Sequence, residues 1–329
     1  MEVFSHIAVL FREPWLIALI AAGTWLGRYV GSVPGLSAAM TVSLLAAFTF
    51  GWEQFSAFAV MIGVYVGAVS SPTPKSIFGS LLGVLALATL APLIAGFAGN
   101  FQPIAFLVLS VLCLIVSSWP SVRFGLVAGC IGLFLGFVGG ERFTFNINYL
   151  NSGVDYIVAM IGLFGASEAL SHLTDIKATP VAPVQEFAKN AALGGALIPT
   201  LALGIPGNSV NTVLLSALMF QGVRPGPNLI PMMPDLFWFI VVSLFIAALL
   251  VMAFGLTFKA FSKIPEVPKE ILIPTILALC ALGAFAIRNS LEDICVMFAF
   301  GVFGFFLRRY DYPVESLALG LVLARLCEG

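Results

Sequence analysis

Two short stretches of this 329-residue chain combine residue types that can hold a charged solute without a charged side chain. One is Gly31-Ser32-Val33-Pro34-Gly35-Leu36-Ser37; the other is Gly204-Ile205-Pro206-Gly207-Asn208-Ser209. Each follows an apolar, helix-forming run and precedes another. Proline ends the first helix because it brings no N–H, and glycine lets the backbone turn. The next helix opens with unpaired N–H groups and the positive end of its dipole, where a carboxylate can be held without a fixed cation. Carbonyls released by the preceding helix can coordinate Na⁺. Ser37 and Ser209 stand where a capping hydroxyl belongs, and Asn208, Asn211 and Thr212 add neutral polar groups. The plainer alternative is a structural kink at both places.

The elements that must carry these breaks are set by composition. Hydrophobic residues make up 60% of the chain and charged residues 9%, with a mean hydropathy of +1.07. Soluble domains carry about 25% charged residues, so there is too little polar side chain here to cover a water-facing surface. Soluble enzyme, nucleic-acid binder and disulfide scaffold are excluded. Continuous apolar runs of about 15–24 residues point to helices rather than the short alternating segments of a β-barrel. The net charge of -1 offers no attraction to nucleic acid or an anionic surface. Cys113, Cys130, Cys280, Cys295 and Cys327 have no metal-like spacing and read as small hydrophobes. The polar start, mixed in charge, lacks the basic region and cleavage site of a secretory signal.

Apolar runs fall at 15–30, 36–50, 55–69, 77–97, 104–116, 124–138 and 154–170, then at 191–203, 210–220, 236–258, 271–287, 294–307 and 314–326. Several of these roughly thirteen segments are too short to cross a hydrocarbon core of about 30 Å, so re-entrant or broken helices are expected, covered by protein or lining a cavity. Lys259, Lys263 and Lys269 in one loop and Arg308–Arg309 two spans later place both loops on the cytoplasmic side, and the turn at 288–293 opposite. One discontinuous crossing within 191–220 keeps the count consistent. Trp15, Trp52, Trp119 and Trp238 sit at segment ends, as in an aromatic belt. Gly125-x-x-x-Gly129 and Gly132-x-x-x-Gly136-x-x-x-Gly140 read as close helix packing.

Isolated ionisable residues add less. Arg28, three residues before Gly31, either pairs with a substrate carboxylate or snorkels to the interface. Glu168 reads as a helix-end residue facing water, and neither His6 nor His172 suits a proton relay. No Gly-x-Ser-x-Gly nucleophile, His-Glu-x-x-His helix or pair of intramembrane aspartates is present. Transport is the better class than catalysis. Paired interrupted helices in corresponding positions of two halves mark the binding site of inverted-repeat transporters.

The chain resembles the large permease subunit of tripartite tricarboxylate transporters. The most specific stretch is Glu186-Phe-Ala-Lys-Asn190-Ala-Ala-Leu-Gly-Gly-Ala-Leu-Ile-Pro-Thr-Leu-Ala-Leu-Gly-Ile-Pro-Gly207, continuing through Leu214-Leu-Ser-Ala-Leu to Gly222-Val-Arg-Pro-Gly-Pro227. It returns at Gly31–Gly35, Thr49-Phe-Gly51, Arg142-Phe-Thr-Phe145, Gly162-Leu-Phe164, Asn289-Ser-Leu291 and Leu307-Arg-Arg309. The resemblance implies a carboxylate importer of the bacterial inner membrane, multi-pass and driven by Na⁺ or H⁺. It also implies a small membrane subunit and a periplasmic solute-binding protein as partners, and two inverted halves with re-entrant elements around a central site. Matched residue by residue, Gly31, Pro34 and Gly35 correspond to the first element of the first half; Pro199, Thr200, Gly204, Pro206, Gly207 and Ser209 correspond to the second element of the second half.

The chain also departs from the family pattern. After Gly63-Val-Tyr-Val-Gly67 the family continues into an Asn-Ile-Pro-Gly-Thr-Pro element, whereas residues 68–75 here lead straight into the next run. After Leu170-Ser-His-Leu173 a Gly-x-x-Pro-Gly-x-Gly element is replaced by a short polar loop at 174–184. The expectation is therefore an all-α polytopic membrane protein of about 10–13 transmembrane or re-entrant segments. Its pseudo-symmetric halves are 1–175, broken at 31–37, and 176–329, broken at 204–209. The expected site comprises Gly31, Ser32, Pro34, Gly35, Ser37, Asn190, Pro199, Thr200, Gly204, Pro206, Gly207, Asn208, Ser209, Asn211 and Thr212. The expected function is cation-coupled uptake of a small organic di- or tricarboxylate, with no cofactor beyond the coupling ion; the alternative is a non-transporting scaffold of the same fold.

Overall fold

A computed structural model describes residues 13–32, 36–101, 103–118, 122–138, 153–172, 183–261 and 269–326. Fourteen helices and no strand occur among the described residues, as expected of an all-α membrane protein. They are α1 (Pro14–Ser32), α2 (Ala38–Phe48), α3 (Gln54–Val69), α4 (Pro74–Ala98), α5 (Pro103–Ser117), α6 (Val122–Gly136) and α7 (Tyr156–Ser171). After these come α8 (Pro183–Leu203), α9 (Ser209–Phe220), α10 (Leu229–Met232), α11 (Pro234–Phe261), α12 (Lys269–Arg288), α13 (Leu291–Arg309) and α14 (Val314–Leu326).

Each of the thirteen apolar runs forms a helix, and only the one-turn α10 was not anticipated. The largest difference in extent is α8, which starts at Pro183 and not near 191. Its first two turns are polar, but proline suits the first helical position and nothing after it interrupts the helix before Gly204. Among the described residues three stretches are long and apolar enough to cross a membrane: Pro74–Ala98, Pro234–Gly255 and Ile271–Arg288. At 1.5 Å per residue, α2 is only about 16 Å long, too short to span.

Backbone contact through glycine sets the helix pairs. A Cβ on Gly23, Gly27 or Gly31 of α1 would fall within 2.5 Å of the carbonyl oxygen of Val60, Val64 or Ala68 of α3. Gly63 and Gly67 of α3 press back on Ile20 and Thr24 in the same way. Gly83 of α4 and Gly194 of α8 meet backbone to backbone, a Cβ on Gly194 falling 2.1 Å from the Gly83 oxygen. Gly132 and Gly136 of α6 seat against Leu317 and Leu321 of α14, and Gly320 of α14 against Gly129. The glycine spacing in α6 is thus a packing surface, as the sequence suggests; Gly140 lies outside the described residues.

The contacts between α1 and α3 climb both helices together, so these partners run parallel. For α1 and α3 this has a consequence: the chain between them must travel back, and α2 is the only helix available to carry it. α2 therefore runs back between α1 and α3; residues 33–35, between α1 and α2, lie outside the described residues. One continuous core joins the helices other than α5, with Phe58, Tyr65, Phe164, Phe237 and Phe239 among its largest buried side chains; α5 packs through Leu114 on Leu319 and Leu323 of α14. Of the proposed interfacial tryptophans, Trp15 and Trp52 are exposed while Trp238 packs on the core; Trp119 lies outside the described residues. Cys113, Cys130, Cys280 and Cys295 are free thiols.

Candidate functional site

The second break is fully described. α8 carries Pro199 in its interior and ends at Leu203. Gly204 has φ +73°, a left-handed conformation that glycine adopts without strain. Two carbonyls of the last α8 turns are taken up locally: Pro199 accepts from the Ile205 N–H at 3.2 Å and Leu201 from the Gly226 N–H at 3.3 Å. Thr200 is buried; its hydroxyl donates to the Ala196 carbonyl at 2.7 Å and accepts from the Gly207 N–H at 3.4 Å. Pro206 is buried and Gly207 exposed. A Cβ on Gly207 would meet the Ala196 carbonyl oxygen at 2.8 Å, so the bend lies flat against α8.

The cap of α9 is Asn208, not Ser209. Its Oδ1 accepts from the Asn211 N–H at 2.8 Å, and its Nδ2 donates to the Tyr65 hydroxyl of α3 at 3.1 Å. Ser209 is the first helical residue. Asparagine one position earlier wins because its amide caps the helix and reaches α3 at once. Thr212 donates to the Asn208 carbonyl at 2.9 Å. Asn211 is fully buried, and neither polar atom of its side-chain amide has a hydrogen-bond partner. Asn190 is buried on α8, upstream of the bend.

At the first break Ser37 caps α2 as expected, accepting from the Met40 N–H at 3.2 Å. Val33, Pro34 and Gly35 lie outside the described residues. Gly31 is a packing residue against Ala68, and Ser32 closes α1 with its hydroxyl on the Tyr29 carbonyl at 2.6 Å. Arg28 is half-buried, and its guanidinium donates to the Ser70 carbonyl at 3.2 Å, at the carboxyl end of α3, where a cation complements the helix dipole.

The sequence misses Glu168. It does not face water: its side chain is 14% exposed, accepts from the Ser37 hydroxyl at 2.5 Å and stands 3.9 Å from the Arg308 guanidinium. The cause is a π-helical segment, Ile161–Ala166, within α7. A π turn holds an extra residue, and one residue is about 100° of helix rotation, which swings Glu168 inward. The glycines of that segment and of α13 fix the register: Gly162 seats against Met297 and Gly301 against Ala166. Tyr65 is also missed, although it stands between the two packing glycines of α3. Among the described residues no hydrogen bond joins the two caps; Ser37 bonds to Glu168 and Asn208 to Tyr65, while α2 and α9 pack on each other.

An uncharacterized 52.8 kDa protein in the TAR-I ttuC' 3' region of Agrobacterium vitis is 25% identical over 447 residues, 100% of this chain and 89% of the relative. An uncharacterized protein in the TAR-II ttuC' 3' region of the same organism is 35% identical over 144 residues, 44% of this chain and 60% of the relative. The first match spreads 329 residues over a longer stretch, so the relative carries segments without counterpart here. No solved structure matches. The sequence model of the tripartite tricarboxylate transporter TctA family matches residues 17–77, 68–186 and 181–319. Successive matches meet at 68–77 and 181–186, where the sequence departs from the family pattern. The chain belongs to the tripartite tricarboxylate transporter TctA family.

Proposed function

We propose that the chain is the membrane permease subunit of a tripartite tricarboxylate-type secondary transporter. It takes up a small organic di- or tricarboxylate coupled to Na⁺ or H⁺, as a multi-pass protein of the bacterial inner membrane. Substrate is delivered by a periplasmic solute-binding protein, and a small membrane subunit completes the complex. Moving a carboxylate inward against the membrane potential requires coupled cations, because each elementary charge costs about 2.3 kcal/mol per 100 mV. The halves are 1–175 and 176–329, and the site lies where α2 and α9 begin.

The observation that carries this reading is the start of α9. An exposed Gly207 opens onto a helix N-terminus fixed by Asn208, with the buried, unpartnered amide of Asn211 one turn inside. That combination suits a carboxylate. The junctions at 68–77 and 181–186 favour one other reading: a chain that keeps the fold and its partner contacts but moves no solute.

Asn208→Ala distinguishes the two. It removes the cap and the bond to Tyr65, and is expected to weaken carboxylate binding at least tenfold while lowering stability by about 1 kcal/mol. Tyr65→Phe, which removes only one partner of that bond, is expected to cost about 0.6 kcal/mol, the usual scale for a hydrogen bond between membrane helices. Titration of purified protein with succinate, malate, tartrate and citrate, alongside thermal unfolding in detergent, measures both. Unchanged affinity in Asn208→Ala would remove α9 from the site. Absence of binding by the unaltered protein would leave the scaffold reading.

A further inference from the structure

Glu168 occupies, within the protein, the position that the proposed function gives to a substrate carboxylate at the first break. Its Oε2 receives the Ser37 hydroxyl at 2.5 Å, at the N-terminus of α2, and faces Arg308 at 3.9 Å. Arg308 is not saturated by this contact: its Nε is buried without a hydrogen-bond partner. The cluster draws on three helices, α2, α7 and α13, and the π segment of α7 is what turns Glu168 into it. A carboxylate that accepts from a hydroxyl beside the start of α2 and faces a guanidinium with a spare donor is an anion position filled by the chain itself.

We propose that Glu168 is a displaceable internal carboxylate: an incoming substrate carboxylate replaces it at Ser37 and Arg308, and Glu168 leaves by taking up one proton. This rests on the carboxylate-binding reading above and names H⁺ as an ion coupled at this site. Once displaced, Glu168 has lost its hydroxyl and guanidinium partners and sits, largely buried, beside a second carboxylate, which favours its neutral form. The substrate oxygen takes the Ser37 donor, and Glu168 takes up one H⁺ from the buffered solution, becoming neutral. When the substrate departs, Glu168 releases that proton and returns to Ser37. Among the described residues the charged and titratable groups near Glu168 are Arg308 of α13, His172 at the end of α7 and Glu315 of α14. None of these replaces Glu168 on Ser37, because the Ser37 hydroxyl is given to Glu168 alone.

The test measures carboxylate affinity and proton uptake together, by calorimetric titration of the purified full chain in two buffers of different ionisation enthalpy. The ligand is whichever of succinate, malate, tartrate and citrate binds the unaltered protein. Glu168→Gln is expected to bind about tenfold more tightly, because the internal competitor has lost its charge, and to take up about one proton fewer per ligand. Glu168→Asp keeps a titratable carboxylate but draws it back from Ser37; it is expected to bind several-fold more tightly with proton uptake retained. Where Glu168→Gln does not give monodisperse protein, Glu168→Asp decides. Equal or weaker affinity in Glu168→Asp, or the same proton count in Glu168→Gln as in the unaltered protein, overturns the proposal while leaving carboxylate binding intact. Absence of ligand binding by the unaltered protein overturns the functional reading itself, and this proposal with it.

Discussion

Gly194→Ala is expected to destabilise the protein by about 2–3 kcal/mol, whereas Gly195→Ala, one residue on, is expected to be neutral or to stabilise by about 0.5–1 kcal/mol. The two glycines share α8, but a Cβ on Gly194 would lie 2.1 Å from the Gly83 carbonyl oxygen and 2.2 Å from its carbon. Both atoms are backbone, so no rotamer change relieves the overlap, and α8 must move off α4. A Cβ on Gly195 meets nothing within 4 Å. There alanine only restricts the unfolded chain and improves helix propensity. Because α8 ends in the bend at Gly204, displacing it also shifts Asn208 from Tyr65. Gly194→Ala should therefore lose carboxylate binding where Gly195→Ala keeps it. Thermal unfolding of both variants in the same detergent checks the contrast; equal stability would mean that α4 and α8 do not approach this closely.

Arg288→Ala is expected to cost about 3 kcal/mol. Arg288 grips Asp293 with two bonds, Nε to Oδ2 at 3.1 Å and a terminal nitrogen to Oδ1 at 2.5 Å. Asp293 is fully buried and Arg288 is 29% exposed at the side chain. Removing one partner strands a buried charge, which costs about 3–5 kcal/mol; the partial exposure of Arg288 places the effect at the low end. The pair straddles the turn between α12 and α13, where Asn289 has φ +52° and Ser290 caps α13 through the Glu292 N–H at 3.2 Å. The double variant Arg288→Met/Asp293→Leu should recover most of the loss, because neither charge remains to be desolvated. A double variant as unstable as Arg288→Ala would show that Arg288 is needed beyond this pair, for the turn or for Asp155, which feels its charge.

Much of the fold was legible because a membrane chain writes its helices as apolar runs. All thirteen runs became helices, and the glycine spacing in α6 became a packing face. The same logic reads Gly31 differently from its first assignment: the Gly23, Gly27 and Gly31 spacing belongs to the α1–α3 seam, and proximity to Pro34 drew it into the site. The bend at Gly204 and the helix start at Ser37 were visible from the Pro-Gly interruptions. Their partners were not, since hydrogen bonds from Asn208 to Tyr65 and from Ser37 to Glu168 join residues 143 and 131 positions apart. Glu168 was hidden for a further reason. Its facing depends on a π segment that no 3.6-residue periodicity anticipates, so a charge near a helix end looked solvated when it was turned inward. Arg28 was open to two readings, and the carboxyl end of α3 supplied a third.

The measurement that bears most directly on the central claim is uptake of labelled succinate, malate, tartrate and citrate into proteoliposomes holding the purified chain, with Na⁺ and H⁺ gradients imposed separately. The small membrane subunit and the periplasmic binding protein are added in one arm, and a longer family member serves as a working control. The expected result is gradient-dependent accumulation of at least one carboxylate, lost in Asn208→Ala and driven by the H⁺ gradient. No accumulation in any arm, from folded protein and beside an active control, would contradict the transporter account and leave a membrane scaffold of the same fold.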